Sequence, residues 1–266
     1  MAKCGGLPLA VVVLGGLLST KRKTAEEWRR VLRNIESRLI DQDRVSAVLA
    51  LSYNDLPFHL KSCFLYMGLF PEDSSISKTN LIQLWVAEGF LPQQREEAGE
   101  VVAENCLNEL VDRCMIQVGT LTSLGSLKAV RMHDVLRDFS ISKGREESFL
   151  EIYSGQKIES PTSQRTKCRR LAIHGDSKVD FVFKDFKLLR ILDGVPFPYQ
   201  APSVVRNLIQ LRYLGIVFMG SNLLAIKLPR SIGKLKNLQT FQSAISTWPQ
   251  SQVPSSKLGV ESVKYD

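Results

Sequence analysis

The stretch Cys63-Phe64-Leu65-Tyr66-Met67-Gly68-Leu69-Phe70-Pro71-Glu72-Asp73 decides how this 266-residue chain is interpreted. Its apolar residues recur at helical intervals, and Pro71 ends the pattern because a proline cannot continue a helix. We interpret the stretch as core packing rather than as a ligand site, with Glu72 and Asp73 facing solvent. The elements on either side indicate which fold this helix belongs to.

Two further helices are predicted after this stretch. Ser77 or Thr79 can cap the first of them, and Gly89 is a helix stop. Trp85 is its predicted core anchor. The second begins at about Glu96. Its predicted inward-facing residues are Val102, Cys106, Leu110 and Cys114.

Two short strands are predicted next, Met115–Val118 and Leu127–Met132, with Thr, Ser and Gly residues forming the turn between them. His133 lies where the second strand gives way to another helix. The apolar positions of that helix are Val135, Leu136 and Phe139. This order of helices and hairpin predicts a winged-helix domain over residues 56–145.

Residues 1–55 are predicted to form helices joined by polar turns. Pro8 suits the first turn of the first helix, and Thr24 can cap the second. The third helix ends near Asp55-Leu56-Pro57, because the residue before a proline avoids the helical region. The apolar residues that share one face of the second helix are Trp28, Val31, Leu32 and Ile35.

An apolar run from Cys4 to Leu18 imitates the core of a secretory signal. Pro8 and two glycine pairs interrupt it, and Ser19-Thr20-Lys21-Arg22-Lys23 stands in place of a cleavage site, so we favour a buried helix. The run is also too short to cross a bilayer. If the packing partner of this helix is missing, apolar surface around Leu7–Leu18 is left exposed, and poor solubility or oligomerisation is expected.

The last third of the chain contains self-similar segments. Residues 146–167 have few periodic apolar positions and are predicted to be a linker. Segments spaced 22 and 27 residues apart follow: Leu189–Leu192, Leu211–Leu214 and Leu238–Phe241. Such periods are typical of leucine-rich repeats, whose strands bury their leucines only by stacking. Partial repeats are therefore predicted over residues 168–247. Within them, Leu171–Ile173 is predicted to form an earlier strand and Leu228–Leu235 a variable loop. An irregular tail is predicted at 248–266.

Charge and cysteine content argue against a nucleic-acid site and a metal site. The chain has 35 Lys and Arg against 27 Asp and Glu, a formal net charge of +8. Its basic clusters, such as Lys21-Arg22-Lys23, are short and lack interleaved aromatics, so solvated faces are favoured over a nucleic-acid site.

The five cysteines form no Cys-x-x-Cys pair and no zinc spacing, so no metal site is predicted. Reduced thiols in the cytoplasm are the simplest interpretation.

No catalytic residue is predicted, and the chain is not expected to be an enzyme. The sequence contains no Gly-x-x-x-x-Gly-Lys-Ser/Thr loop, whose amides and lysine would hold a triphosphate. It also lacks the metal-binding aspartate that NTP hydrolysis requires after an apolar strand. No serine or cysteine lies in a nucleophile elbow. His59 and His174 belong to no pattern of base, nucleophile or metal ligand.

Three motifs resemble those of plant nucleotide-binding (NB-ARC), leucine-rich-repeat disease-resistance proteins of the coiled-coil class, in that family's order. They are Gly6-Leu7-Pro8-Leu9-Ala10, the Cys63–Asp73 stretch and Met132-His133-Asp134. The resemblance implies a mainly α fold with short β segments: a helical ARC1-like region at 1–55, a winged-helix (ARC2-like) domain at 56–145 and the start of an α/β leucine-rich-repeat solenoid. It also implies a partial chain that starts at the Gly-Leu-Pro-Leu-Ala motif.

The same resemblance implies nucleotide-binding residues, Pro8, Leu9 and His133. The proline packs near the adenine in relatives. The histidine of the switch motif Met132-His133-Asp134 approaches the outer phosphate of ADP in the resting state, a preference that exchange for ATP removes. The alternatives are that Pro8 only opens a helix and that His133 only closes a strand–helix junction. ADP or ATP is expected in intact relatives, with weak or no binding by this chain alone.

The implied function is that of a partial intracellular immune receptor in plant defence. It carries the ADP-sensing and autoinhibitory rear half of a nucleotide switch without its phosphate loop. The alternative is a nucleotide-independent interaction module or adaptor that acts through winged helix and repeats. The expected partners are proteins: a pathogen effector, a guarded host protein or another resistance protein. Neither nucleic-acid binding nor a transmembrane segment is expected.

Overall fold

The computed structural model describes residues 8–38, 44–92, 97–153, 162–174, 186, 188–197, 208–219, 235–238, 240–246 and 261–264. These residues belong to two compact units. The first comprises 1–68 and 72–140, and the second comprises 69–71 and 141–266. Across the described residues, helix is the main regular structure.

Three helices open the first unit and confirm the predicted order: α1 Pro8–Ser19, α2 Ala25–Arg38 and α3 Arg44–Asp55. The predicted cap is present, since Glu27 N donates a hydrogen bond to Thr24 Oγ1 at 3.4 Å. Helix α3 ends immediately before Leu56 and Pro57, as the proline rule requires. Helix α1 packs against α3.

The winged-helix elements follow in the predicted order. They are α4 Phe58–Met67, β1 Ile76–Ser77, α5 Lys78–Glu88, α6 Gly99–Asp112, β2 Gln117–Leu121, β3 Leu127–Arg131 and α7 Asp134–Glu146. The strands form an antiparallel sheet in the order β1-β3-β2. Gly89 ends α5 with a left-handed φ of 71°, which confirms the predicted stop.

Three expectations for this domain are wrong. Helix α4 ends at Met67 with Gly68 as its C-cap, before Pro71 is reached. Neither Ser77 nor Thr79 caps α5 through its side chain: Thr79 lies inside the helix, and Ser77, at the N-cap, makes no side-chain cap bond. Ser77 is instead held by strand pairing, opposite Ala129 in β3. Cys114 does not face inward from α6, because the helix ends at Asp112 and Cys114 adopts a φ of 57° in the following turn.

The core of the first unit is built around aromatic side chains. Trp85 is fully buried, as predicted. The rings of Tyr53, Phe64 and Phe139 form a second cluster with centroid separations of 5.8 to 6.3 Å. Ser140 is buried beside this cluster, and its hydroxyl donates to the Phe64 carbonyl at 3.3 Å. This cluster joins α3, α4 and α7.

One carboxylate connects three helix ends in this unit. Asp55, the last residue of α3, forms an ion pair with Lys21, which follows α1. Its other oxygen accepts a hydrogen bond from Arg113 Nη1 at 3.1 Å, directly after α6. Arg113 also donates to Glu109 Oε1 at 2.8 and 3.0 Å. Lys21 and Arg113 are cations near the C-termini of α1 and α6, where the helix dipole favours them, so the cluster stabilises these two ends.

We expect Asp55→Asn to lower the free energy of unfolding of this unit by about 1–2 kcal/mol. Hydrogen bonds to charged groups contribute about 1.5–3 kcal/mol, and the partial exposure of the Asp55 side chain, 24%, reduces that figure. Urea denaturation followed by circular dichroism measures the change. Exposed Asp112→Asn is the matched control and should stay within about 0.5 kcal/mol. Equal losses in the two variants would contradict the assignment.

The second unit contains a six-stranded sheet in sequential order. Its elements are β4 Glu151–Tyr153, α8 Thr162–Arg165, β5 Arg170–Ile173, β6 Ile191–Phe197, β7 Tyr213–Met219, β8 Thr240–Ser246 and β9 Glu261–Lys264. Strands β4 to β8 are parallel, and β9 is antiparallel to β8. Ile191 pairs with Tyr213 and Tyr213 with Thr240, so the register follows the predicted spacing.

Two segments predicted to be irregular contain strands. Strand β4 lies within the predicted linker and is buried throughout. Its Glu151 carboxylate is buried but accepts a bond from Arg145 Nε at 2.9 Å, which compensates the charge. Strand β9 lies within the predicted irregular tail. Of the predicted variable loop, only Leu235 is among the described residues, and it is buried.

Candidate functional site

His133 lies at the junction between β3 and α7, as predicted. Its ring is half-buried, and Nδ1 accepts a hydrogen bond from Val135 N at 3.2 Å. Its carbonyl accepts the first helical bond of α7 from Arg137 N at 2.9 Å. An accepting Nδ1 in a neutral imidazole places the ring proton on Nε2. No hydrogen bond to Nε2 is found within the described residues, so this N–H is a donor without a recorded partner.

The other two residues of the switch motif have different environments. Met132 is buried, with 8% of its surface exposed, and contributes to the core behind the histidine. Asp134 is half-buried and is the first residue of α7. A carboxylate in the first turn is favoured by the helix dipole. His133 therefore lies between a buried core residue and the first residue of α7.

Pro8 and Leu9 open α1. Pro8 is exposed, whereas Leu9 is buried at 8%. No hydrogen bond or ion pair joins either residue to His133 in the described part of the chain. The rest of the Gly-Leu-Pro-Leu-Ala motif before Pro8 lies outside the described residues. The nucleotide contacts of Pro8, Leu9 and His133 therefore stay predictions.

Three of the four cysteines among the described residues are poorly suited to act as nucleophiles; the fourth, Cys114, is half-buried, and burial raises its pKa as well. Cys63, Cys106 and Cys168 are buried. Burial raises the pKa of Cys106 to about 11 and that of Cys168 to about 12, and it also raises the pKa of Cys63. Because the thiolate is the reactive form, these side chains are inert at neutral pH.

The described residues also lack two features that would point to other functions. No group of three or more His, Cys, Asp or Glu side chains there is arranged to hold a metal ion. No helix there is both long and apolar enough to cross a membrane.

Comparison with known proteins identifies the domain around His133. Residues 69–140 match the family model described as Disease resistance protein Winged helix domain. The chain is 36% identical over 277 residues to Putative disease resistance RPP13-like protein 3 of Arabidopsis thaliana and 34% identical over 276 residues to ToMV resistance protein Tm-2(2) of Solanum lycopersicum. Each alignment covers 91% of this chain and 31% of the relative.

Residues 69–140, which include β1 to β3 and the start of α7, therefore form a winged-helix domain of the disease-resistance type. The relatives aligned over most of this chain are plant disease-resistance proteins, so the predicted resemblance to that family is confirmed. The chain spans about a third of the length of these relatives.

Proposed function

We propose that this chain carries the ADP-sensing, autoinhibitory segment of an intracellular plant immune receptor acting in defence. The winged-helix match and the similarity to plant disease-resistance proteins support the receptor role. The observation that carries the sensing role is the His133 junction, which holds Nδ1 as an acceptor. Nε2–H is then the donor for a phosphate oxygen. In this proposal α1 to α3 form an ARC1-like region, and β4 to β8 begin a leucine-rich-repeat solenoid.

The residues fit a diphosphate better than a catalytic role. A histidine N–H can donate a charge-assisted hydrogen bond to a phosphate oxygen, and the bond from Val135 N to Nδ1 orients the ring. Pro8, exposed at the start of α1, offers a rigid apolar surface for the base. These 266 residues contain no phosphate loop. The remaining phosphate contacts therefore belong to a nucleotide-binding domain, and we propose a switch rather than an enzyme.

Calorimetry with ADP tests this proposal. The chain alone should show no micromolar affinity, because most phosphate contacts are missing. When a phosphate-loop domain from a family member is added, His133→Ala should weaken ADP binding by about 10- to 100-fold, the equivalent of one hydrogen bond to a charged group. Half-buried His59→Ala is the control and should leave the affinity unchanged. Micromolar binding by the chain alone, or unaltered binding by the His133 variant, would contradict the proposal.

A second candidate is a nucleotide-independent interaction module. The parallel sheet β4 to β8 supports it, because stacked repeats present an extended surface that binds proteins. An effector, a guarded host protein or another resistance protein in the cytoplasm would be its partner. Partners that stay bound after complete removal of nucleotide would favour this candidate over the switch.

A further inference from the structure

Three hydroxyl side chains lie where α1 gives way to α2: Ser19, Thr20 and Thr24. The Ser19 hydroxyl donates a hydrogen bond to the Gly16 carbonyl at 2.7 Å, and the Thr20 hydroxyl donates to the Leu17 carbonyl at 2.8 Å. Thr24 Oγ1 instead accepts a bond from Glu27 N at 3.4 Å. No bond donated by the Thr24 hydroxyl is found within the described residues. Its proton is therefore available to a base, unlike those of the other two hydroxyls.

Thr24 is exposed and directly follows the basic stretch Lys21-Arg22-Lys23. This stretch lies outside both helices, since α1 ends at Ser19 and α2 begins at Ala25. Lys21 is held by its ion pair with Asp55. Arg22 and Lys23 are exposed, and the Arg22 side chain is 82% exposed. Two accessible cations therefore precede an accessible hydroxyl on a surface connection, the kind of segment that enzymes can reach.

We propose that Thr24 is a phosphorylation site for a protein kinase that selects basic residues before its target. In the transfer, Thr24 Oγ1 bonds to the γ-phosphorus of ATP while the bond from that phosphorus to the β-phosphate oxygen breaks, and ADP leaves. The hydroxyl proton passes to the catalytic aspartate of the kinase. Arg22 and Lys23 pair with carboxylates of the kinase. The site shares no residue with the His133 junction, so it does not depend on the ADP-sensing proposal.

The acidic residues after Thr24 are the weaker recognition signal. The Glu27 side chain is only 15% exposed and is paired with Arg22 at 3.2 Å and Arg30 at 3.0 Å. A kinase that selects acidic residues would have to break both pairs to bind this carboxylate, which leaves Glu26 as the exposed one. A kinase that selects basic residues needs only to release Arg22 from an exposed pair, which contributes little to stability.

The modification changes the charge of this connection. A phosphate on threonine carries a charge of about −1.5 to −2 at neutral pH. Next to Arg22 and Lys23 it makes the exposed surface nearly neutral. The phosphate also lies directly before the first turn of α2, where the helix dipole favours an anion. We therefore expect α2 to keep its helical structure after the transfer.

Phosphate transfer to the folded 266-residue chain tests the proposal. The chain is incubated with ATP and the catalytic subunit of cyclic-AMP-dependent protein kinase, which selects basic residues before its target. Mass spectrometry of proteolytic peptides should place the phosphate on Thr24. Thr20 is the internal control, because it is exposed in the same connection but precedes the basic residues. It should be modified at least about tenfold more slowly.

Matched substitutions identify the recognition residues. The double variant Arg22→Gln with Lys23→Gln should lower the rate at Thr24 by about tenfold or more, because two charge-assisted contacts with the kinase are lost. Arg30→Gln is the control: Arg30 also pairs with Glu27 but follows Thr24, so the rate should be unchanged. Circular dichroism confirms that each variant keeps its helices.

Four results would each overturn the proposal. They are the absence of phosphate on Thr24, equal rates at Thr20 and Thr24, an unaltered rate in the double variant, and faster modification of Thr24 by a casein kinase that selects acidic residues.

Discussion

Replacing Trp85 with alanine is expected to lower the free energy of unfolding of the first unit by about 3–5 kcal/mol, the usual cost of deleting a buried tryptophan. Trp85 lies on α5 and is fully buried. Truncation would leave a cavity that the surrounding helices and β3 can fill only in part. Urea denaturation followed by circular dichroism at the helix band would report the loss as a lower midpoint.

A second substitution at the same position separates the contributions of volume and hydrogen bonding. Trp85 Nε1 is buried without a hydrogen-bond partner among the described residues. Leaving such a donor unpaired costs about 1–3 kcal/mol, and phenylalanine removes it while keeping an aromatic ring. Trp85→Phe should therefore lose less than half as much stability as Trp85→Ala. Similar losses would show that the indole N–H finds a partner in solution.

Gly16→Ala is expected to destabilise the same unit by about 2–3 kcal/mol, although alanine is the better helix former. A Cβ at Gly16 would lie 2.3 Å from the Arg113 carbonyl oxygen and 2.5 Å from its carbonyl carbon. Backbone atoms cannot rotate away as a side chain can, so α1 must shift from the end of α6. Overpacking of this kind costs about 1–3 kcal/mol.

The neighbouring glycine provides the control for that prediction. A Cβ at Gly15 meets nothing within 4 Å, and this residue is exposed. Gly15→Ala should stabilise α1 by about 0.5–1 kcal/mol through helix propensity alone. Two adjacent and chemically identical substitutions are thus expected to have opposite signs. A shared sign in urea denaturation would mean that α1 does not approach Arg113 as described.

Local chemistry allowed much of the fold to be predicted from sequence. Pro8, Thr24 and Gly89 each mark a helix end through a backbone or cap preference, and all three do so in the structure. Repeats with a regular leucine spacing likewise predicted strands β6 to β8. The sequence could not predict β1 or β4, because two or three residues give no periodicity and the pairing that defines them is non-local.

The candidate site could likewise be predicted only in part from the sequence. The position of His133 between strand and helix followed from the sequence. The acceptor role of its Nδ1 did not, because it depends on how the chain turns at Val135. The stripe of α2 was also evident, but the sequence could not show that Val31 is buried while Trp28 is half exposed. That difference arises from tertiary packing, in which α2 contacts α3.

The buried thiols of the winged helix have a practical consequence. Cys63 on α4 and Cys106 on α6 are shielded, and burial raises the pKa of both. An alkylating reagent can reach them only when the domain opens. Their rates of modification therefore report how often the native domain opens locally, and a mass spectrometer can read them without any engineered probe.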